Sequence, residues 1–160
     1  MLHIKILCVG KLKESYFASA AAEYLKRLGA YARVEVEELP ESHLPAQPSE
    51  AETAAALERE AESLRLRIPK DALRIAMCIE GRKLDSRQFA DFVELCAVNG
   101  KNRLCFLIGG SLGLAESVKK EAELRLSMSD MTFPHHLARI MLLEQLYRAF
   151  KIAEGGKYHK

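Results

Sequence analysis

The chain has 160 residues, 49% hydrophobic and 29% charged, with a formal net charge of +2. That length suits one domain with a proper core, and the composition is that of an ordinary globular protein. A domain dedicated to nucleic acid is usually more basic than the isoelectric point of 8.3 found here, so charge alone argues for neither RNA nor DNA.

Residues 2–9 read as a buried strand ending at Gly10. A helix is predicted over 15–28, with Phe17, Ala21, Tyr24 and Leu28 on one face and Gly29 as its stop. Over 33–39, Val34 and Val36 alternate with Glu35 and Glu37 in a half-exposed strand that Pro40 terminates. The segment from Pro40 to Pro48 reads as a mobile connection. Ser49 and Glu52 make a capping box for a helix running to about Ile68, with Leu57, Ala61, Leu64 and Ile68 as its apolar face. Pro69 ends it.

A strand follows over 73–79, a helix over 86–98 and a strand over 104–108. A short helix is predicted at about 115–122, a short strand near Leu124, and a final helix over 135–153. Strands separated by amphipathic helices define an α/β fold, here a mainly parallel sheet flanked by helices. No internal repeat or composition break divides it, so residues 1–160 are read as a single domain.

Cys8, Cys78, Cys96 and Cys105 are widely spaced and form no Cys-x-x-Cys pair. Reduced core thiols of a cytoplasmic protein are expected, with neither a disulfide framework nor a metal site. No run approaches the roughly 18 apolar residues of a membrane span. The apolar opening is too short and interrupted for a signal peptide.

In open α/β sheets, ligands bind beyond the carboxyl ends of the strands. That rule gathers Glu80-Gly81, Gly109-Gly110-Ser111-Leu112-Gly113 and the loop after Leu126 at one edge. Gly109 and Gly110 permit either a tight strand-to-helix turn or a close approach of ligand to backbone. Their spacing is neither a phosphate-binding P-loop nor Gly-x-Gly-x-x-Gly, which argues against nucleotide triphosphate hydrolysis. Met128, Met131 and Phe133, mixed with Ser129 and Thr132, either wrap a flat heterocycle or plug the core.

On the last helix, Ile140, Leu142, Leu143, Leu146, Tyr147, Ala149, Phe150 and Ala153 fill an arc roughly 180° wide. A single core stripe needs less, so the surplus suggests a homodimer. Arg139 falls inside that arc with His135 nearby, and either escapes at the first turn or faces an anionic group in a cleft. Arg148 lies on the polar arc with Lys151. In the tail, Tyr158 has the chemistry to stack on a base and His159 to titrate near neutral pH.

These segments together closely resemble the SPOUT-class methyltransferase H family of the bacterial ribosomal large subunit. The likeness rests on the opening Ile-Leu-Cys-Val-Gly-Lys-Leu-Lys, the central Cys-Ile-Glu-Gly-Arg-Lys-Leu and the loop Ile-Gly-Gly-Ser-Leu-Gly-Leu. Met-Thr-Phe-Pro-His, Glu-Gln-Leu-Tyr-Arg-Ala-Phe and the closing Tyr-His-Lys complete it. The resemblance implies a trefoil-knotted α/β fold, a homodimer, and S-adenosylmethionine as methyl donor for N3 of a pseudouridine in 23S ribosomal RNA of assembled ribosomes. It implies a cofactor site at Met77, Gly109, Met128, Ser129, Asp130, Met131, Thr132 and Phe133. It implies a substrate site at His135, Arg139, Arg148, Tyr158 and His159, the tail reaching across to the partner subunit.

Methyl transfer to such a nitrogen is chiefly an orientation problem, plus removal of the N3 proton. His135 and His159 are the candidate bases, Arg139 and Arg148 the candidate holders of uracil oxygen or phosphate, and no metal is required. Two rival readings are a ribosome-associated RNA-binding module without catalysis and a methyltransferase of the same class acting on tRNA or another RNA.

Overall fold

The computed structural model describes residues 1–155. Its strands are β1 (Leu2–Val9), β2 (Ala32–Leu39), β3 (Leu73–Lys83), β4 (Arg103–Ile108) and β5 (Leu124–Ser127). Its helices are α1 (Ser15–Leu28), α2 (Glu50–Arg65), α3 (Ser86–Val98), α4 (Glu116–Glu121) and α5 (His135–Ala153). The strands form one sheet in the order β2-β1-β4-β3-β5, and every pairing is parallel. All carboxyl ends therefore open toward the same edge.

Alternation within the strands decides which layer each residue feeds. Ile4, Ile6 and Cys8 of β1, with Leu104, Phe106 and Ile108 of β4, face a layer made by α1, α3 and α5. Leu7 and Val9, with Cys105 and Leu107, face the opposite layer, which Ala61 and Leu64 of α2 and Val118 of α4 cover. Burial on both faces explains why these strands read as continuous apolar runs rather than as alternating ones. The four cysteines are free thiols, Cys8, Cys96 and Cys105 buried and Cys78 half-buried. Burial pushes the thiols of Cys8 and Cys105 up to about 11 and about 12.

Three departures from the sequence reading have local causes. Helix α2 stops at Arg65 rather than near Ile68. Arg67 donates to Glu37 of β2 at 2.9 Å and to the Ser63 carbonyl at 3.0 Å, which draws the chain toward the sheet before Pro69. Strand β3 runs on to Lys83, past the expected end at Ile79. Its register on β5 shifts between Met77 and Arg82, so residues 78–81 form a bulge near the carboxyl edge.

The third concerns α5. Leu142, Leu143, Leu146 and Ala149 are buried within the chain, and the helix packs between α1 and α3. Its wide apolar arc is thus largely occupied inside one protomer. Tyr147 and Phe150 belong to the same intrachain cluster, edged or stacked against Tyr31 with centroids 6.2 and 5.4 Å away. Among the described residues, no helix is long and apolar enough to cross a membrane.

Phe106 has no exposed surface and meets Phe89 edge to face at 6.3 Å. Phe106→Ala is expected to cost about 3–5 kcal/mol, read as a lower urea midpoint at unchanged slope.

Candidate functional site

Beyond the carboxyl ends of β3, β4 and β5 lies a cavity of about 660 Å³. That is the size of a cofactor pocket rather than of a packing defect. Met77 to Glu80, Ile108 to Leu114, and the stretch from Leu126 to Ala138 supply its walls.

The glycine loop is shaped by what cannot fit. A Cβ on Gly109 would stand 2.3 Å from the Gly113 carbonyl carbon and 2.8 Å from the Leu114 nitrogen. The turn is closed by Gly113 donating its amide to the Gly110 carbonyl at 3.0 Å, with Gly113 at φ +75° in the left-handed region. A Cβ on Gly110 would meet the Glu41 carboxylate at 2.7 Å. Gly109 is therefore required by main chain it cannot displace, whereas a side chain at Gly110 would push the Glu41 carboxylate aside. The two glycines make the tight turn, and the turn makes one wall of the cavity.

Serines set the second loop. The buried Ser127 hydroxyl donates to the Ser129 carbonyl at 3.1 Å, and the Ser129 hydroxyl accepts the Met131 amide at 3.1 Å. These local bonds fold residues 127–131 without regular structure. Met128, Ser129, Met131, Thr132 and Phe133 line the cavity, with Met131 74% exposed at the mouth. Asp130 does not line it. Lys83 donates to both of its carboxylate oxygens at 2.8 Å on the outer surface. Met77 and Gly109 both contribute to the wall, Met77 from β3 just before its bulge and Gly109 just past the end of β4.

Helix α5 begins at the rim. His135 lines the cavity, and its Nε2 is buried with no hydrogen-bond partner among the described residues. Burial lowers its pKa below the ordinary 6.5, helped by His136 and Arg139 and opposed by Glu41. The ring is therefore neutral at pH 7. Arg139 is 2% exposed and does not line the cavity. Its Nη1 donates to Glu38 at 2.7 Å and its Nη2 to the Gly10 carbonyl at 3.0 Å. The anionic group expected opposite Arg139 is thus a residue of β2. Burial works to raise the Glu38 carboxyl, but Arg139 and the Leu12 amide outweigh it and hold the carboxyl below its usual value. Arg148 lies farther along α5 and donates to Glu144 at 2.6 Å. Tyr158 and His159 lie outside the described residues.

Sequence reasoning missed Glu41. The segment read as a mobile connection is tied down at Glu41, whose Oε1 accepts both the Ser111 amide at 2.8 Å and the Ser111 hydroxyl at 2.6 Å. Ser42 donates its amide to Glu60 at 2.8 Å, anchoring the same segment to α2. No spacing rule could have joined residues 70 positions apart. Lys119 was also missed; it lines the cavity and is paired with Glu80 of the β3 bulge.

The sequence and the fold belong to a known class. A sequence profile described as "Predicted SPOUT methyltransferase" matches residues 2–159, so the chain belongs to the SPOUT methyltransferase family. Among individual relatives, a Bacillus cytotoxicus protein named ribosomal RNA large subunit methyltransferase H is 48% identical, the match covering 99% of this chain and 100% of that protein. A Listeria monocytogenes protein of the same name is 45% identical over the same shares. Among solved structures, a probable methyltransferase from Bordetella pertussis superposes with a TM-score of 0.56 at 15% identity, covering 92% of this chain and 96% of that one. A probable methylase family protein from Haemophilus influenzae gives 0.55 at 18% identity, covering 98% and 70%.

The two Ser111 donors, the hydroxyl first, hold the Glu41 carboxyl below its ordinary value of 4.5. The link is therefore complete above that pH and is lost as pH falls through the lowered value. Glu41→Ala is expected to destabilise the fold by about 1–2 kcal/mol. It should also speed hydrogen exchange at the Ser111 amide, while amides in β1 keep exchange governed by global unfolding.

Proposed function

We propose that the chain transfers a methyl group from S-adenosylmethionine to N3 of a pseudouridine in 23S ribosomal RNA within assembled ribosomes. The observation that carries this reading is a cavity built from the same segments on which the family likeness rests. Two relatives matched end to end carry the name ribosomal RNA large subunit methyltransferase H.

The residues present fit the cofactor. Met77, Leu114, Met131 and Phe133 offer apolar faces to a flat ring, and Ser129 and Thr132 offer hydroxyls between them. When bound, S-adenosylmethionine supplies a methyl group already activated on a sulfonium, so the chain needs no nucleophile of its own. The chain's task is to bind, orient and take a proton.

The glycine turn and the serine-set loop are held by internal bonds before any ligand arrives, which lowers the ordering cost of binding. His135 is read as the acceptor of the N3 proton, since its Nε2 has no partner among the described residues. Arg139 is read as a positioning residue. By joining Glu38 and Gly10 to α5, it fixes where His135 stands relative to the strand ends. Arg148, Tyr158 and His159 are assigned to substrate contact across a homodimer, the tail reaching the partner's cavity. An apolar groove between α1, α3 and α5, lined by Tyr24, Phe89, Met128, Ile140 and Met141, adjoins the cavity and suits a second copy. Work on ribosomes sets the chain in the cytoplasm.

Labelled methyl from S-adenosylmethionine should appear in 23S RNA when the chain meets intact ribosomes from cells lacking it, and far less on naked rRNA or tRNA. Label on tRNA alone would replace the substrate assignment. No transfer to any RNA would overturn the enzyme reading. Because burial keeps His135 from protonating until pH is below 6.5, kcat/KM should be level near pH 7. It should drop about tenfold per pH unit on the acid side. His135→Gln should lower kcat and remove that acid limb; an unchanged limb would take the proton-acceptor role from His135.

A further inference from the structure

Four rings form a continuous file from the cavity rim to open solvent. His135 lines the cavity, and its ring lies 4.0 Å from that of His136. His136 stands 6.5 Å from Phe17, and Phe17 stands 4.7 Å from Tyr16. Tyr16, in the first turn of α1, is 66% exposed. A lone exposed aromatic is unremarkable, but a ring path that begins at the site and ends at an open tyrosine face is not a core feature.

Beside it runs the loop 10–14, and that loop is clamped. Gly10 donates its amide to the Leu39 carbonyl at 2.8 Å and accepts Arg139 at 3.0 Å. Leu12 donates its amide to Glu38 at 2.9 Å and packs its side chain against the core. The residues on either side, Lys11 and Lys13, are exposed, and neither is in an ion pair among the described residues. Of the neighbouring acids, Glu38 is neutralised by Arg139, and Glu14 turns its Oε2 into the protein. The exposed groups here are therefore two lysines on an anchored backbone and an aromatic ring.

We infer that Lys11, Lys13, Tyr16 and Phe17 form a docking surface for a single-stranded RNA segment flanking the target nucleotide, one base stacking on Tyr16 while the lysines hold the adjoining phosphates. Resting on the RNA-methyltransferase reading above, this adds to it the surface that seats the neighbouring nucleotides. Unpaired RNA is recognised by stacking on aromatic rings, and its phosphates by cationic side chains, both of which this surface supplies. A weakly basic chain needs such a local concentration of charge, because its overall charge of +2 provides little attraction.

The test compares the wild type with Tyr16→Ala, Tyr16→Phe and the double variant Lys11→Ala/Lys13→Ala. Intact ribosomes from cells lacking the chain are the probe in both a binding and a methyl-transfer assay. Tyr16→Ala should weaken ribosome binding and raise KM roughly tenfold, with kcat, S-adenosylmethionine affinity and melting temperature held. Tyr16→Phe should restore binding to within about twofold, because stacking uses the ring and not the hydroxyl. The lysine variant should lower the salt slope of binding by about one for each phosphate that a lysine no longer neutralises. Unchanged KM and binding in Tyr16→Ala would overturn the surface while transfer by the wild type leaves the enzyme reading standing. Tyr16-dependent binding without any transfer would keep the surface and remove the enzyme reading. A Tyr16→Ala effect confined to subunit association would assign the patch to a second copy and overturn the RNA surface.

Discussion

The strand-end loops of this protein can meet only where side chains are missing. At Gly109 the backbone of residues 113–114 sits where a Cβ would be, and at Gly81 the backbone of Arg125 and Leu126 does, at 2.8 Å. Two separate crossings of main chain on main chain thus fix the glycine turn, the β3 bulge and the start of the 127–133 loop against one another. Everything that lines the cavity descends from those contacts. A close-packed interior has no slack to absorb an added methyl group at such a point.

Electrostatics then holds the periphery. Glu38, Glu41, Glu80 and Asp130 lie at the same edge of the sheet, and each is engaged by a different donor. Arg139 takes the first, Ser111 the second, Lys119 the third and Lys83 the fourth. The arrangement commits four acidic groups to structure and leaves Lys11 and Lys13 outside any ion pair among the described residues. A chain of modest net charge can in this way concentrate positive charge locally.

Regular structure was legible from the sequence because its causes are local. The capping box at Ser49 marked the start of α2, and the spacing of apolar residues placed α1, α3 and α5 over their observed spans. The parallel sheet followed from the alternation of strands and helices, and a cavity lies at the edge where open α/β sheets hold ligands. What could not be read were contacts between distant segments. Pro40 to Pro48 looks mobile as composition, yet Glu41 and Ser42 fasten it to Ser111 and Glu60. Arg139 looks poised toward a ligand on a helical wheel, yet its partner is Glu38, 101 residues earlier. On α5, Leu142, Leu143, Leu146 and Ala149 of the apolar arc are buried within the chain, while Ile140 borders the groove between α1, α3 and α5. The family likeness carried the assignment of Met128 to Phe133, since short apolar loops serve cores and ligands equally well.

The central claim is that the cavity beyond β3, β4 and β5 is where S-adenosylmethionine binds. Its most direct test is a titration of the protein with S-adenosylmethionine followed by backbone amide shifts. Saturable shifts at Met77, Gly109, Ser129, Met131 and Thr132, with residues at the amino ends of the strands unmoved, are the predicted result. Absence of saturable binding, or shifts confined to the opposite edge of the sheet, would contradict it.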